Sequence, residues 1–261
     1  MYATNQASRD HKRRHTKTAC KAVIFDYVGT LVSCKGYSMD ASREKLYQAL
    51  VTEGFNTARD RFMAAYTASH EKYRKIRYEQ YREVTNAVWV SEALQNLGFQ
   101  VASNDTRVNT ALNVFFQDFI DTIEARDGAE KLLHQAKQQG KVGLISNFTY
   151  APVIYKSLRK VGLGECFNAV VVSEENGWRK PSSHIFQDVL KRLQVAAQEV
   201  VYVGDSPLED IKGAKAAGLS TVFVPSQFNS LKDLRDSQQQ PDFIAADLAS
   251  VSQHLSNILP M

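Results

Sequence analysis

A single short strand, followed by a long stretch in which no strand can be read, constrains this chain more than any other feature. Residues 21–25 read Lys-Ala-Val-Ile-Phe, an apolar run rich in β-branched residues that ends in Asp26. This is the pattern of a strand buried on both faces of a parallel sheet. From Ser38 to about Asp121 there is no proline, and apolar residues recur at helical spacing in segments 41–54, 61–95 and 106–121. Gly54 and Gly98 stand where helices stop, and Asn104-Asp105-Thr106 where one is capped. After Glu124 the pattern alternates. Helices are predicted at 128–139, 150–161, 182–193, 207–217 and 247–258, with strands at 142–145, 169–172, 200–203, 221–224 and 242–245.

Strands alternating with helices at this spacing make βαβ units and a parallel sheet. The expected fold is therefore a doubly wound, Rossmann-like α/β core with an inserted helical cap domain. The core takes 21–35 and 123–261, the cap takes 36–122, and residues 1–20 form a basic tail. In such sheets ligands bind beyond the carboxyl ends of the strands, so an insertion after the first strand hangs over the site as a lid.

Charge separates the tail from the body. Arg9, Lys12, Arg13, Arg14 and Lys17 face only Asp10, while the rest of the chain holds 27 basic and 27 acidic residues. A neutral body makes nucleic acid an unexpected partner, and the tail reads as a flexible leader. With 44% hydrophobic and 23% charged residues, the composition excludes wholesale disorder. No apolar run approaches the ~20 residues that span a bilayer. Cys20, Cys34 and Cys166 form no metal-binding or disulfide pattern, so reduced thiols in the cytoplasm are expected, in a monomer or homodimer.

Four strand ends carry polar motifs. The first ends in Asp26-Tyr27-Val28-Gly29-Thr30 and the second in Ser146-Asn147. A loop after the third carries Arg179-Lys180-Pro181, and the fourth ends in Gly204-Asp205-Ser206-Pro207 with Asp210 beyond. Each has a plain reading as a turn or a helix cap. Together they bring carboxylates, an ammonium, a hydroxyl and an amide to one edge. Crowded carboxylates require a cation, and a hard divalent ion such as Mg²⁺ suits oxygen ligands. With the lysine and hydroxyl added, the site suits a phosphoryl group attacked by a carboxylate.

These motifs, with Ser173 to Pro181 followed by Ile185-Phe186 and with Gly204 to Gly218, resemble the haloacid dehalogenase superfamily. The resemblance implies a Mg²⁺-dependent phosphatase acting on a small phosphorylated metabolite through an aspartyl-phosphate. It implies Asp26 as nucleophile, with Lys180 steadying both Asp26 and the transferring group. Thr30, Ser146 and the backbone of Asn147 would hold phosphate. Asp26, the Val28 carbonyl and Asp205 would bind the metal, supported by Asp210.

One residue departs from that pattern. Phosphatases of the superfamily usually place a second aspartate two residues after the nucleophile, as general acid and base; here that position is Val28. Related readings therefore remain: a 2-haloacid dehalogenase, a phosphonate hydrolase using a cap lysine (Lys35, Lys45, Lys72 or Lys75), or a non-catalytic phospho-ligand-binding regulator. The cap carries no transferable substrate code. The run His70-Glu71-Lys72-Tyr73-Arg74 with Arg77 reads as a solvated face, and Tyr66, Tyr73, Tyr78 and Tyr81 read as packing.

Overall fold

The computed structural model of the chain describes residues 20–258. The basic segment that dominates the sequence charge thus lies outside the described residues. In chain order the strands are β1 (Ala22–Phe25), β2 (Val32–Ser33), β3 (Glu124–Ala125), β4 (Lys141–Ser146), β5 (Ala169–Val172), β6 (Val200–Gly204), β7 (Ser220–Phe223) and β8 (Phe243–Ile244). Six of them form one sheet, in the order β5-β4-β1-β6-β7-β8, and every pairing in it is parallel. The order reverses at β1, the topological switch at which doubly wound sheets bind ligands.

Because strand side chains alternate between faces, β1 splits its residues between two cores. Val23 and Phe25 enter one with Leu132, Leu133, Leu144 and Val251, whereas Ala22 and Ile24 enter the other with Ile185, Val189 and Tyr202. The helices are α1 (Met39–Thr52), α2 (Arg59–Glu79), α3 (Asn86–Asn96), α4 (Thr106–Thr122), α5 (Ala129–Gln139), α6 (Ala151–Lys160), α7 (Ser173–Asn176), α8 (Ser183–Leu193), α9 (Lys212–Ala216), α10 (Leu231–Asp236) and α11 (Leu248–Ile258). The first core is covered by α5, α6 and α11, the second by α8 and α9. No helix among the described residues is long and apolar enough to cross a membrane.

Helices α1 to α4 interrupt the alternation. Helix α1 packs on α4 and α2 on α3 around Leu46, Phe62, Trp89, Leu94 and Leu112. Ser38 and Asp105 cap α1 and α4 by accepting from Ala41 N and Arg107 N. The chain leaves and re-enters the α/β layer through an antiparallel ribbon that pairs Val32 with Ala125 and Ser33 with Glu124. Both ends of the helical block are thus held side by side.

Several elements differ from the sequence expectation. The helix predicted across 61–95 breaks between α2 and α3, with Tyr81 at a φ of 55°. There Arg82 bridges Trp178, Glu83 N donates to Gly177 O at 3.0 Å, and Arg179 N donates to Tyr81 O at 3.0 Å. Backbone bonds to a remote loop outweigh local helical propensity. The helix predicted at 207–217 opens with a wider turn, Pro207–Ile211, before α9. The β2–β3 ribbon, α7 and α10 have no counterpart among the predicted elements.

Candidate active site

The sheet register assembles the site. Phe25 lies opposite Leu144 on one side and Val203 on the other. Asp26 therefore emerges one residue short of both Ser146 and Asp205. Beyond it the chain turns tightly, with Leu31 N and Val32 N both donating to Tyr27 O, at 2.8 and 3.1 Å. Gly29 takes a φ of +104° in this turn, and a Cβ there would lie 2.5 Å from Asp205 Oδ2. Glycine lets the backbone press against that carboxylate. Arg126 ties this turn to the loop after β7, donating to Gly29 O at 2.5 Å, Thr30 O at 3.3 Å and Pro225 O at 2.9 Å.

Lys180 is the hub. Its ammonium, 2% exposed, lies 2.7 Å from Asp26 Oδ1 and 2.7 Å from Asp210 Oδ1. It also donates to Tyr202 Oη at 3.0 Å and Ile145 O at 3.2 Å. Asn147 clamps the lysine's backbone, accepting from Lys180 N at 2.8 Å and donating to Lys180 O at 3.0 Å. Asp210 is fixed by Tyr202 Oη at 2.8 Å and Ser206 N at 2.9 Å. Asp205 accepts from Ser226 Oγ at 2.5 Å, Asn229 Nδ2 at 3.1 Å and Thr30 Oγ1 at 3.3 Å.

One carboxylate oxygen from each of Asp26, Asp205 and Asp210 falls within a 4.8 Å cluster. Burial, against the pull of Lys180, pushes the Asp26 carboxyl up to about 8, and Asp210 and Asp205 add to the rise. Asp205 is likewise raised, by burial and then by Asp210. Burial alone would lower Lys180, but Asp210 and Asp26 hold its ammonium well above the usual value. Three carboxylates against one ammonium leave a formal charge of −2, and Asp26 Oδ2 is buried without a hydrogen-bond partner. An all-oxygen cluster with this charge and a free buried acceptor could hold a divalent cation.

A cavity of about 460 Å³ opens over this cluster, walled by Asp26, Val28, Ser146, Asn147 and Asp205 from the α/β layer and by Arg77 and Tyr78 from α2. Of the residues expected at the phosphate, Ser146 and Asn147 line this cavity. Thr30 is wholly buried and points its hydroxyl at Asp205 instead. The expected solvated face of α2 holds only in part: Arg77 is buried and its Nε lies 2.7 Å from Glu83 Oε1. Tyr78, expected to pack, is half exposed at the cavity wall, with the Arg179 guanidinium 4.5 Å from its ring centre.

The sequence reading missed Tyr202, Arg126, Ser226, Asn229 and Glu83. Glu83 is buried at the break between α2 and α3, pairing with Arg77 and, at 3.5 Å, with Arg179, and accepting from Ser173 Oγ at 2.5 Å. No local sequence signal marks it, because its partners come from α2 and from the segment at 173–179. Polar residues just past the strand at 220–223 mark Ser226 and Asn229.

The chain also has known relatives. A family described as haloacid dehalogenase-like hydrolase matches residues 20–218. The chain is 29% identical over 203 residues to haloacid dehalogenase-like hydrolase domain-containing protein 3 of Bos taurus, covering 76% of each chain. It is 27% identical over 233 residues to a glyceraldehyde 3-phosphate phosphatase of Methanopyrus kandleri, covering 85% of this chain and 91% of that one. Its fold is similar to the crystal structure of a 2-haloacid dehalogenase from Pseudomonas syringae pv. Tomato DC3000, with a TM-score of 0.66 at 20% identity over 91% of this chain and 99% of that one. The strand-end motifs, the sheet order and the family match agree, and the chain belongs to the haloacid dehalogenase-like hydrolase family.

Proposed function

We propose that the protein is a Mg²⁺-dependent phosphatase that removes phosphate from a small phosphorylated substrate through a phosphorylated Asp26. The observation that carries this reading is the make-up of the buried cluster, three carboxylates against one ammonium with one carboxylate oxygen unpartnered. Asp26, the Val28 carbonyl and Asp205 would hold the metal, with Asp210 in support, and the ion would neutralise phosphoryl oxygens during attack. The phosphatase name of the Methanopyrus kandleri relative accords with this reading.

In this mechanism an Asp26 oxygen attacks phosphorus, and the bond from phosphorus to the leaving oxygen breaks. The leaving group departs with the electron pair. Water then cleaves the phosphoaspartate, releasing inorganic phosphate and restoring the carboxylate. Lys180 orients Asp26 throughout, and Ser146 with the Asn147 backbone receives phosphoryl oxygens. Helices α1 to α4, within residues 36–122, act as a cap over a core formed by 21–35 and 123–261. Three cysteines buried as free thiols accord with a reducing, cytoplasmic setting.

A metal-free dehalogenase would have to hold the same three carboxylates against a single ammonium, which the charge balance disfavours. A phosphonate hydrolase needs an amine at the substrate. Among the candidate cap lysines, Lys45 pairs with Asp118 and Lys72 with Glu92, and none lines the cavity. The test is phosphate release from 4-nitrophenyl phosphate with and without Mg²⁺, using Asp26→Asn as control. Absence of Mg²⁺-dependent release by folded protein would favour the non-catalytic binder.

A further inference from the structure

A second cavity, of about 320 Å³, adjoins the first beneath the helical block. The two share Arg77, Tyr78, Phe119, Asn147 and Phe148 as walls. A group bonded to a phosphoryl at Asp26 would lie against these shared walls, facing the second cavity. That volume lies within the ~300–1,000 Å³ typical of small-molecule sites.

Its walls are mostly rings. Tyr66, Trp89, Phe115, Phe116 and Phe148 contribute, together with His70, which stacks on Tyr66 at an interplanar angle of 4° and meets Trp89 edge-on at 81°. Phe116 and Phe148 meet at 5.5 Å on the side nearest the α/β layer. Flat walls of this kind favour a flat apolar ligand, whose ring they contact by stacking or by edges. No acidic side chain is among the lining residues, whereas Arg43 and Arg77 are.

Three polar atoms in these walls, on Asn86, Trp89 and Arg43, lack a hydrogen-bond partner. Asn86 is 4% exposed and its side-chain Oδ1 accepts no hydrogen bond. Trp89 Nε1 and Arg43 Nε are buried with no acceptor in good geometry, although both side chains face the Tyr66 hydroxyl and Arg43 Nη1 reaches Asp40 at 3.0 Å. Buried polar groups left unpaired in a cavity mark where a ligand's polar atoms belong. The active-site end adds an independent constraint: Val28, a side chain with no proton to give, lines the first cavity two residues beyond Asp26. A leaving oxygen that departs without a proton must be the oxygen of an acidic group.

Both constraints define one class of molecule. We propose that the substrate is the phosphate ester of a phenol-type aromatic compound, its ring held in this second cavity and its far end presenting a hydrogen-bond acceptor such as a carboxylate to Arg43. The assignment rests on the phosphatase reading. The P–O bond to the aryl oxygen breaks, the phenolate leaves with the electron pair, and it takes its proton from solvent on release.

Three measurements test it. Benzoyl and acetyl phosphate have leaving groups of similar acidity and differ in the ring, so kcat/KM should favour benzoyl phosphate by roughly tenfold or more. The preference for 4-carboxyphenyl over phenyl phosphate should fall roughly tenfold in Arg43→Met. The dephosphorylated probe 4-hydroxybenzoate should quench tryptophan fluorescence on binding, and more weakly in Arg43→Met. Hydrolysis of acetyl phosphate with no gain for benzoyl phosphate, and no binding of 4-hydroxybenzoate by wild type, would overturn the ring assignment while leaving the phosphatase intact. Binding of 4-hydroxybenzoate that weakens in Arg43→Met, without hydrolysis of either anhydride, would support the cavity's assignment and refute the phosphatase reading.

Discussion

If the protein is the phosphatase proposed above, replacing Val28 by aspartate measures what a proton donor at that position is worth. Val28 lines the catalytic cavity two residues beyond Asp26. Glu209, the remaining acid there outside the triad, is engaged by Arg179 at 2.9 Å and by Asn147 at 2.8 Å. General acid–base assistance is worth about 10²–10⁴ in rate, or roughly 3–5 kcal/mol of barrier. A fourth carboxylate also adds charge. Two residues of extended chain reach at most about 7 Å, and at an effective dielectric of about 20 repulsion from Asp26 is then about 2 kcal/mol. That repulsion acts only on the ionised form, so it lifts the new carboxyl by between one and two pH units above the ordinary ~3.9. The shift hinders the base role and favours the acid role. Val28→Asp should therefore raise kcat/KM for alkyl phosphates by about 10²–10³ and change that for 4-nitrophenyl phosphate by less than about threefold. The assay is a leaving-group series from nitrophenyl to alkyl phosphates at saturating Mg²⁺. Wild type should show a steep dependence on leaving-group acidity, and the variant a shallow one. Equal wild-type rates on alkyl and aryl phosphates, unchanged by Val28→Asp, would refute the reasoning and place the donor on the helical block, with Tyr78 the first candidate.

Three further predictions follow from the same geometry. Asp205→Asn removes one charge from the buried triad, so the Mg²⁺ concentration giving half-maximal rate should rise by roughly tenfold or more; unchanged activity in EDTA would dismiss the metal. Glu83→Gln keeps the shape but leaves Arg77 and Arg179 facing a neutral group, and urea unfolding should show a loss of about 3 kcal/mol. Burial raises the Glu174 carboxyl despite the N–H it accepts from Ala151, so its folded-state proton affinity exceeds the unfolded one. Stability from that group is full below the unfolded value near ~4.3 and declines as pH rises through the raised folded value. Glu174→Gln should then be more stable than wild type at pH 7 and show no gain at pH 4, by urea midpoints.

The parts of this site that are legible in the sequence are those made by local chemistry. Asp26, Ser146 and Asp205 each end a strand whose hydrophobic pattern is read without tertiary knowledge, and parallel register does the rest. Lys180 is legible as a basic residue in a strand-end loop, and so is its partner Asp26. Its contact with Asp210 is not, because Asp210 reaches it through the widened turn after Pro207. Tyr202 reads as one more apolar residue of Val-Val-Tyr-Val-Gly, and its hydroxyl matters only once Asp210 lies 2.8 Å away. The surroundings of Thr30 are illegible for the converse reason: a hydroxyl at a strand end fits a phosphate, but past the left-handed Gly29 it is buried against Asp205.

The break between α2 and α3 shows a different kind of illegibility. Residues 80–85 lack proline and glycine, and nothing local stops a helix there. What stops it is a backbone strap to residues 177–179, nearly a hundred positions later, sealed by Glu83 buried between Arg77 and Arg179. This strap joins the helical block directly to the residue preceding Lys180. Parting the buried Glu83 from its arginines would cost about 3–5 kcal/mol. The ring contacts of Phe116 and Phe119 with Phe148, at 5.5 and 5.3 Å between centres, carry no such electrostatic penalty. Movement that admits a substrate is therefore easiest where the rings meet and hardest at the strap. In the proposed phosphatase, catalytic positioning and substrate selection would thereby be divided between the two sides of one cleft. The strap side would hold Lys180 fixed, and the ring side would accommodate the leaving group.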